Sequence, residues 1–298
     1  MRKFFISLFQ YSLVLLGLFT ISCFLIYKHY HSPASKQKNK NVINVLILGD
    51  SHPMYSMNEN LISHSLKQCS SGEPYFYSLL KSDLYKSIYP GITTLILGMS
   101  YHSFNKNVDA RIDTYDFYMQ IYPKFKQITP ILKTEDYLSL KTRLEVQLAY
   151  EFGIPSKDCI AEFKNKFIGF ESFGEKTLTN TLSRHYYTHS GNVNDVSLIQ
   201  IKMLDNIVQY CKKNNIVLIL YNAPVKKKYL TSIPSPFIQI TDSIANSYTY
   251  NRDIYYLNYA EYPLPDSCFS DFDHLNNAGA NIITPILRDS LISLGVLK

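Results

Sequence analysis

Residues 44–61 read NVLILGDSHPMYSMNENL. Val45 to Leu48 is an unbroken aliphatic run, the pattern of a strand buried on both faces rather than one with a solvated side. Gly49 supplies the turn that ends it. An ordinary strand end has no need of a serine between an aspartate and a histidine. Ser51 therefore has two readings: the N-cap of a helix starting near Met54, since serine caps helices well, or a nucleophile. The remainder of the chain has to decide.

The same aliphatic pattern returns. VINVLIL from Val42 is the first strand, TTLILGM (Thr93 to Met99) a second, NIVLILYNAP (Asn215 to Pro224) a third and DIYYLNYA (Asp253 to Ala260) a fourth. Between them the periodicity predicts helices over Met57 to Lys67, Tyr75 to Ile88 and Ser197 to Asn214. The last has Leu198, Ile201, Leu204, Ile207 and Val208 on one face and ends in Lys212 and Lys213. Buried strands alternating with helices imply an α/β fold of the doubly wound kind: a central parallel sheet with helices on both faces, three layers in all. Residues from about 105 to 194 fit this poorly. They are rich in Tyr and Phe, hold a helix predicted over Thr134 to Phe152, and read as a helical and loop insertion on a domain running from 42 to 298.

The 298 residues, 46% hydrophobic and 18% charged, suit a globular protein with one sizeable core. The aromatic balance of Tyr 25 and Phe 17 against Trp 0 reads as an AT-rich coding bias. A formal charge of +6 is modest, and Lys28, Lys36, Lys38 and Lys40 fall in one polar stretch, so no nucleic-acid partner is expected. After a short tail (residues 1–3), residues 4–27 carry no charge: FFISLFQYSLVLLGLFTISCFLIY. About two dozen helical residues span roughly 36 Å, enough for a hydrocarbon core of about 30 Å. The run is longer than a cleavable signal's apolar region. Cys23 does not sit in a lipoprotein pattern, because Thr20 stands where leucine is preferred. A single N-terminal transmembrane anchor is expected, with residues 28–41 as a polar tether. Flanking charges are nearly balanced and do not orient it. Cys69, Cys159, Cys211 and Cys268 are compatible with two disulfides or with buried thiols.

Ligands of doubly wound sheets bind at the carboxyl ends of the strands. The first strand delivers Asp50, Ser51 and His52 there, the second delivers GMSYHSF (Gly98 to Phe104), and the fourth leads into DSCFSDFDHLNNAGA (Asp266 to Ala280). A serine hydroxyl needs a histidine to take its proton, and the histidine needs a carboxylate to fix its tautomer. Asp271 and His274 meet that need within one turn and place a base and its orienter against Ser51. Asp273 competes for the orienting role.

GDSH after the first strand and DxxH near the C-terminus resemble the first and last blocks of the SGNH (GDSL-type) hydrolase and acyltransferase superfamily. The resemblance implies that Ser51, His274 and Asp271 are catalytic. It also implies that the oxyanion is held by the amides of Ser51 and Gly72, the latter in SSGEPYFYSLL. The family's Gly-x-Asn-Asp block corresponds to Gly98-Met99-Ser100, where the asparagine is missing; Ser100 or His102 are the substitutes at hand. An anchor followed by such a domain is similar to extracytoplasmic acyl-transfer proteins of cell-surface polysaccharide modification. The implied partners are a membrane, a multi-spanning membrane-bound O-acyltransferase and a glycan or acyl-ester substrate, with the domain facing outward. No cofactor and no metal are implied.

Plainer roles compete. Asp50 is read as a turn residue, and His52 as a rim residue within reach of substrate, like His102. Gly72 could be only a turn glycine. His185 and His189, in HYYTH, have helical metal-ligand spacing but no third ligand in the sequence, and are read as exposed or rim histidines. Lys226 to Lys228 are a solvated loop or a membrane-surface contact. Besides an esterase or acyltransferase, the missing asparagine leaves open a degenerate glycan-binding or assembly subunit. A purely structural membrane protein would make the spacing of Ser51, Asp271 and His274 a coincidence.

Overall fold

The computed structural model describes residues 6–7, 9–18, 21, 43–125, 132–152, 177–250 and 252–297. The strands are β1 (Val45–Leu48), β2 (Ser65–Lys67), β3 (Thr94–Gly98), β4 (Val217–Asn222) and β5 (Ile254–Asn258). The helices used below are α1 (Ser51–Ser56), α2 (Tyr75–Ile88), α3 (Tyr115–Phe125), α4 (Leu140–Phe152), α5 (Leu178–Tyr186), α6 (Leu198–Lys213), α7 (Lys227–Leu230), α8 (Ser235–Thr249) and α9 (Asn277–Ser293). The chain divides into two compact units. One comprises Met1–Gln37, Asp113–Thr129 and Lys133–Ser172, the other Lys38–Ile112, Pro130–Leu132 and Phe173–Lys298.

The second unit contains the sheet. Its order is β2-β1-β3-β4-β5 and every pairing is parallel. Val45, Ile47, Ile96, Ile219 and Tyr221 pack on one face with Met57, Ile62, Leu287 and Leu291, which come from the loop after α1 and from α9. By the alternation of strand side chains, Leu46, Leu48, Leu95, Leu97, Leu218 and Leu220 point the other way, and all are buried. On that side α2 and α6 pack together, α2 against β1 and α6 against β4. Both faces are thus covered, which is why the strands are aliphatic throughout; each fully buried aliphatic side chain contributes about 1.5–3 kcal/mol. The strand order reverses direction between β1 and β3. In a parallel sheet that switch point opens a crevice at the carboxyl ends, where Asp50 to His52 and Ser100 to His102 emerge.

Two helices expected from the sequence are altered. Met57 to Lys67 is not a helix: a 3-10 turn at Glu59–Leu61 leads into edge strand β2. The Asn58 amide donates to Thr284 Oγ1 of α9 at 2.9 Å, and the Lys67 amide donates to Glu59 Oε2 at 2.8 Å, so tertiary and turn hydrogen bonds win over the apolar spacing. The helix expected from Thr134 begins at Leu140, after a 3-10 turn at Thr134–Asp136. The one expected over Ser197 to Asn214 is α6, with the Ser197 side chain accepting from the Gln200 amide. The first unit holds α3 and α4, which pack together; the Asp113 carboxylate accepts from the amide of Ser139, just before α4, at 3.0 Å.

Among the described residues no helix is long and apolar enough to cross a membrane. The anchor expected at 4–27 lies partly, and the tether at 28–41 wholly, outside the described residues, as do Cys23 and Cys159. Cys69, Cys211 and Cys268 are free thiols.

The ends of β1 and β3 meet at two glycines. Gly49 has φ +124°, and a Cβ there would lie 2.9 Å from the Gly98 nitrogen; a Cβ on Gly98 would lie 2.7 Å from Pro53 Cγ. Gly98→Ala is therefore expected to destabilise the domain by about 1–3 kcal/mol through overpacking, measured by urea denaturation. Unchanged stability would show that Pro53 is not fixed there. Burial pushes the Cys211 thiol up to about 12, so a thiol reagent at pH 8 should label Cys211 only after unfolding.

Candidate active site

The first turn after β1 sets Ser51. Asp50, not Ser51, is the N-cap of α1: its Oδ1 accepts from the His52 amide at 2.9 Å and the helix begins at Ser51 itself. The helix expected near Met54 thus starts earlier, and capping does not account for the serine. Asp50 also reaches across the switch point, accepting from His102 Nε2 at 2.9 Å through Oδ2.

The C-terminal side is a tight strap. Phe269 and Leu275 form an antiparallel bridge, and the Ser270 amide donates to the His274 carbonyl at 3.0 Å. Immediately after it, Asn276 caps α9 by accepting from the amides of Ala278 and Gly279 at 2.9 and 3.1 Å. Inside the strap the Asp271 carboxylate accepts from the His274 amide at 2.8 Å and the Asp273 amide at 3.1 Å, which fixes its direction. Both Asp271 oxygens stand 3.0 Å from His274 Nδ1, and His274 Nε2 stands 2.8 Å from Ser51 Oγ. Asp273 Oδ1 is farther from Nδ1, at 3.4 Å. Ser51, His274 and Asp271 form one hydrogen-bonded chain, and all three are buried. Such a chain can pass the serine proton to an imidazole whose tautomer a carboxylate has fixed.

Gly72 lies at the same end of the sheet. Its loop is tied to β1 by the Ser70 amide donating to the Gly49 carbonyl at 3.1 Å, and Gly72 and Asp50 line one small cavity of about 20 Å³. Gly72 has φ +67°, and Arg111 Nη1 donates to its carbonyl at 3.2 Å. A Cβ at Gly72 would run into that guanidinium. The Ser100 amide donates to Ser103 Oγ at 3.0 Å, while the Ser100 hydroxyl is buried without a hydrogen-bond partner.

His52 is not a rim residue. It is 2% exposed and its Nε2 points at Asp273 Oδ2, 3.5 Å away. His185 is also drawn inward: its ring stacks on His102 at 4.3 Å and 13°, and its Nδ1 is 2.7 Å from the Tyr229 hydroxyl. His189 remains exposed. Burial alone would raise the Asp50 carboxyl, but the hydrogen bond and charge of His102, with His52 beside it, hold it below the usual carboxylate range. Burial pushes His52 down, but Asp273, Asp50 and Asp271 outweigh it and raise it above the ordinary histidine value. His185 falls well below that value through burial, with His102 and Arg184 adding to the effect. The sequence reading missed Asp273 as the centre of this cluster, and it missed Arg184 and Tyr229. The doubled aspartate in DFDH and the HYYTH run were the available signals.

Asp50 serves as cap and as partner of His102, and the two roles separate by substitution. Asp50→Asn keeps a good cap; Asp50→Ala loses both, at about 0.5–2 kcal/mol for the cap alone. Thermal or urea denaturation should therefore rank Ala as more destabilising than Asn. Equal destabilisation by the two would mean that the charge facing His102, lost in both, dominates.

No family model matches the sequence, and no curated protein matches it. Solved structures do. A Streptococcus pneumonia protein provisionally described as a platelet activating factor is 12% identical, with 95% of this chain and 98% of that one covered and a TM-score of 0.43. A GDSL-like lipase from Bacteroides thetaiotaomicron VPI-5482 is 10% identical over 90% of this chain and 98% of its own, with a TM-score of 0.41.

Proposed function

We propose that the chain is a membrane-anchored, serine-dependent esterase or O-acyltransferase acting on acylated cell-surface glycans. The observation that carries the chemistry is the unbroken chain from Ser51 Oγ through His274 to Asp271. In this reading His274 Nε2 takes the Ser51 proton as Oγ attacks the ester carbonyl, and Asp271 stabilises the imidazolium. Collapse of the tetrahedral intermediate expels the alcohol, which takes the proton back from His274, and leaves an acyl-enzyme on Ser51. Water or a sugar hydroxyl then enters and gives its proton to His274; as the acyl group leaves with it, His274 returns the proton to Ser51 Oγ.

The oxyanion is assigned to the amides of Gly72 and of Ser51, the latter among the unsatisfied donors of the first turn of α1. A third donor in place of the missing asparagine is left to the Ser100 hydroxyl or to His102. The anchor is supported by the uncharged run over 4–27, in which Phe9, Leu13, Leu15 and Leu16 are exposed. With the anchor come the outward-facing orientation, the multi-spanning acyltransferase partner and the glycan acceptor, all drawn from the likeness in motif order. The asparagine missing from Gly98-Met99-Ser100 favours, as a second reading, a domain of weak turnover that holds glycan.

With p-nitrophenyl acetate, the chain is expected to turn over slowly. Ser51→Ala and His274→Ala should each lower kcat to near background, because the two act as one unit. Asp271→Asn should cost less, since Asp273 stands 3.4 Å from the same ring nitrogen. An added acylatable glycan should draw acyl groups faster than water does. Parent-level turnover by Ser51→Ala would transfer the assignment to the glycan-holding reading.

A further inference from the structure

The loop that carries Gly72 is gripped by a buried ion pair. Lys81, on α2, is 6% exposed and Glu73 is 5% exposed. The Lys81 ammonium donates to Glu73 Oε2, to Ser70 Oγ at 2.8 Å and to the Gln68 carbonyl at 3.0 Å, so all its protons are used. The other Glu73 oxygen accepts from the hydroxyl of Ser78, also on α2, at 2.7 Å. Burial raises the Glu73 carboxyl, and Lys81 and Ser78 work against that rise.

Lysine is seldom buried to this degree. Stability does not account for the pair, since apolar side chains of matching size in such a place are often as stable or more so. Its place in the chain does. Gln68, Ser70 and Glu73 belong to the loop between β2 and α2. The backbone of that loop is tied to β1, the Gln68 amide donating to the Ile47 carbonyl at 2.9 Å and the Ser70 amide to the Gly49 carbonyl at 3.1 Å. The Glu73 amide donates to the Ser70 carbonyl at 3.1 Å and closes a turn around Gly72. Gly72, with φ +67°, has an amide without an acceptor among the described residues. α2 is fixed in turn: the Tyr75 hydroxyl donates to the Gly98 carbonyl at 3.1 Å, and the Tyr75 amide donates to Gln200 Oε1 of α6 at 2.9 Å. The turn is held from several sides, and the one amide it leaves open is that of Gly72.

We propose that Lys81 and Glu73 are positioning residues: the pair locks the Ser70–Glu73 turn to α2 and so sets where the Gly72 amide stands relative to Ser51. The inference rests on the reading of Ser51 as nucleophile and Gly72 as oxyanion donor. Such a donor acts as charge develops on the carbonyl oxygen, and its value depends on being in place beforehand. Loosening the turn therefore costs turnover rather than ester binding.

The test compares the full chain with Lys81→Met and with the double variant Lys81→Met/Glu73→Gln, which keeps the volume and leaves no lone buried charge. Hydrogen exchange read by mass spectrometry on a peptide spanning residues 68–73 should speed up by about tenfold or more, while peptides of β3 and β4 keep the parent rate. With p-nitrophenyl acetate, kcat and kcat/KM should fall together by about tenfold or more, with KM within about twofold of the parent. Lys86→Met is the control. Lys86 lies on the same helix but donates to the carbonyls of Pro90 and Ile92 at 2.8 and 2.7 Å, so kcat should be unchanged. If circular dichroism shows that neither Lys81 variant folds, Ser70→Ala, which removes the hydroxyl that Lys81 holds, decides by the same two readouts. Unchanged exchange in the turn, or unchanged kcat in a folded variant, would overturn the proposal, because a pair that only stabilises the fold moves neither in the folded molecule. A parent without Ser51-dependent turnover would overturn the esterase reading instead, and the exchange measurement then still decides whether the pair holds the turn.

Discussion

The two hydrogen bonds of the His274 ring are the constraint on which the site depends. Nε2 meets Ser51, which belongs to the turn after β1, and Nδ1 meets Asp271, which belongs to the strap before α9. The two contacts join segments more than two hundred residues apart, so every layer of the fold must be in register for the ring to make both. α9 packs its Leu287 and Leu291 on the face of the sheet that carries Val45 and Ile47, and this brings the strap over the end of β1. Core packing and the relay are therefore not separate achievements. The aliphatic strands that stabilise the domain are also what fix the relay's geometry to within a hydrogen bond's tolerance.

A second layer of charge supports the first. Asp50 caps α1 through one oxygen and holds His102 through the other, so the helix start and the end of β3 are tied by one carboxylate. Gly49 and Gly98 permit the approach that makes this reach short, because any Cβ there would meet backbone or Pro53. Beyond them Asp273 gathers His52 and His185 around an unsatisfied carboxylate. The result is a buried set of carboxylates and imidazoles in which only His274 is aimed at the serine.

What the sequence made legible follows from how local each signal is. β1, β3 and β4 were readable because burial on both faces leaves an aliphatic run that needs no partner to be recognised. Ser51, Asp271 and His274 were readable because each occupies a fixed place relative to a strand or helix end. β2 was not, for its three residues owe their state to pairing with β1, and Met57, Leu61 and Ile62 imitate helical spacing. The role of Asp50 as cap was hidden behind a neighbour equally fit to cap. The cluster around Asp273 was invisible because its members lie far apart in sequence: His52 and His102 meet where the strand order reverses between β1 and β3, and His185 arrives from α5.

The central claim is that Ser51 is a nucleophile activated by His274. Its most direct test is reaction of the full chain with a fluorophosphonate, followed by peptide mass spectrometry to locate the adduct. The expected result is one adduct, on Ser51, absent from a His274→Ala protein that still carries the serine. An adduct confined to another residue such as Ser100 or Ser103, or labelling of Ser51 that is indifferent to His274, would contradict the account.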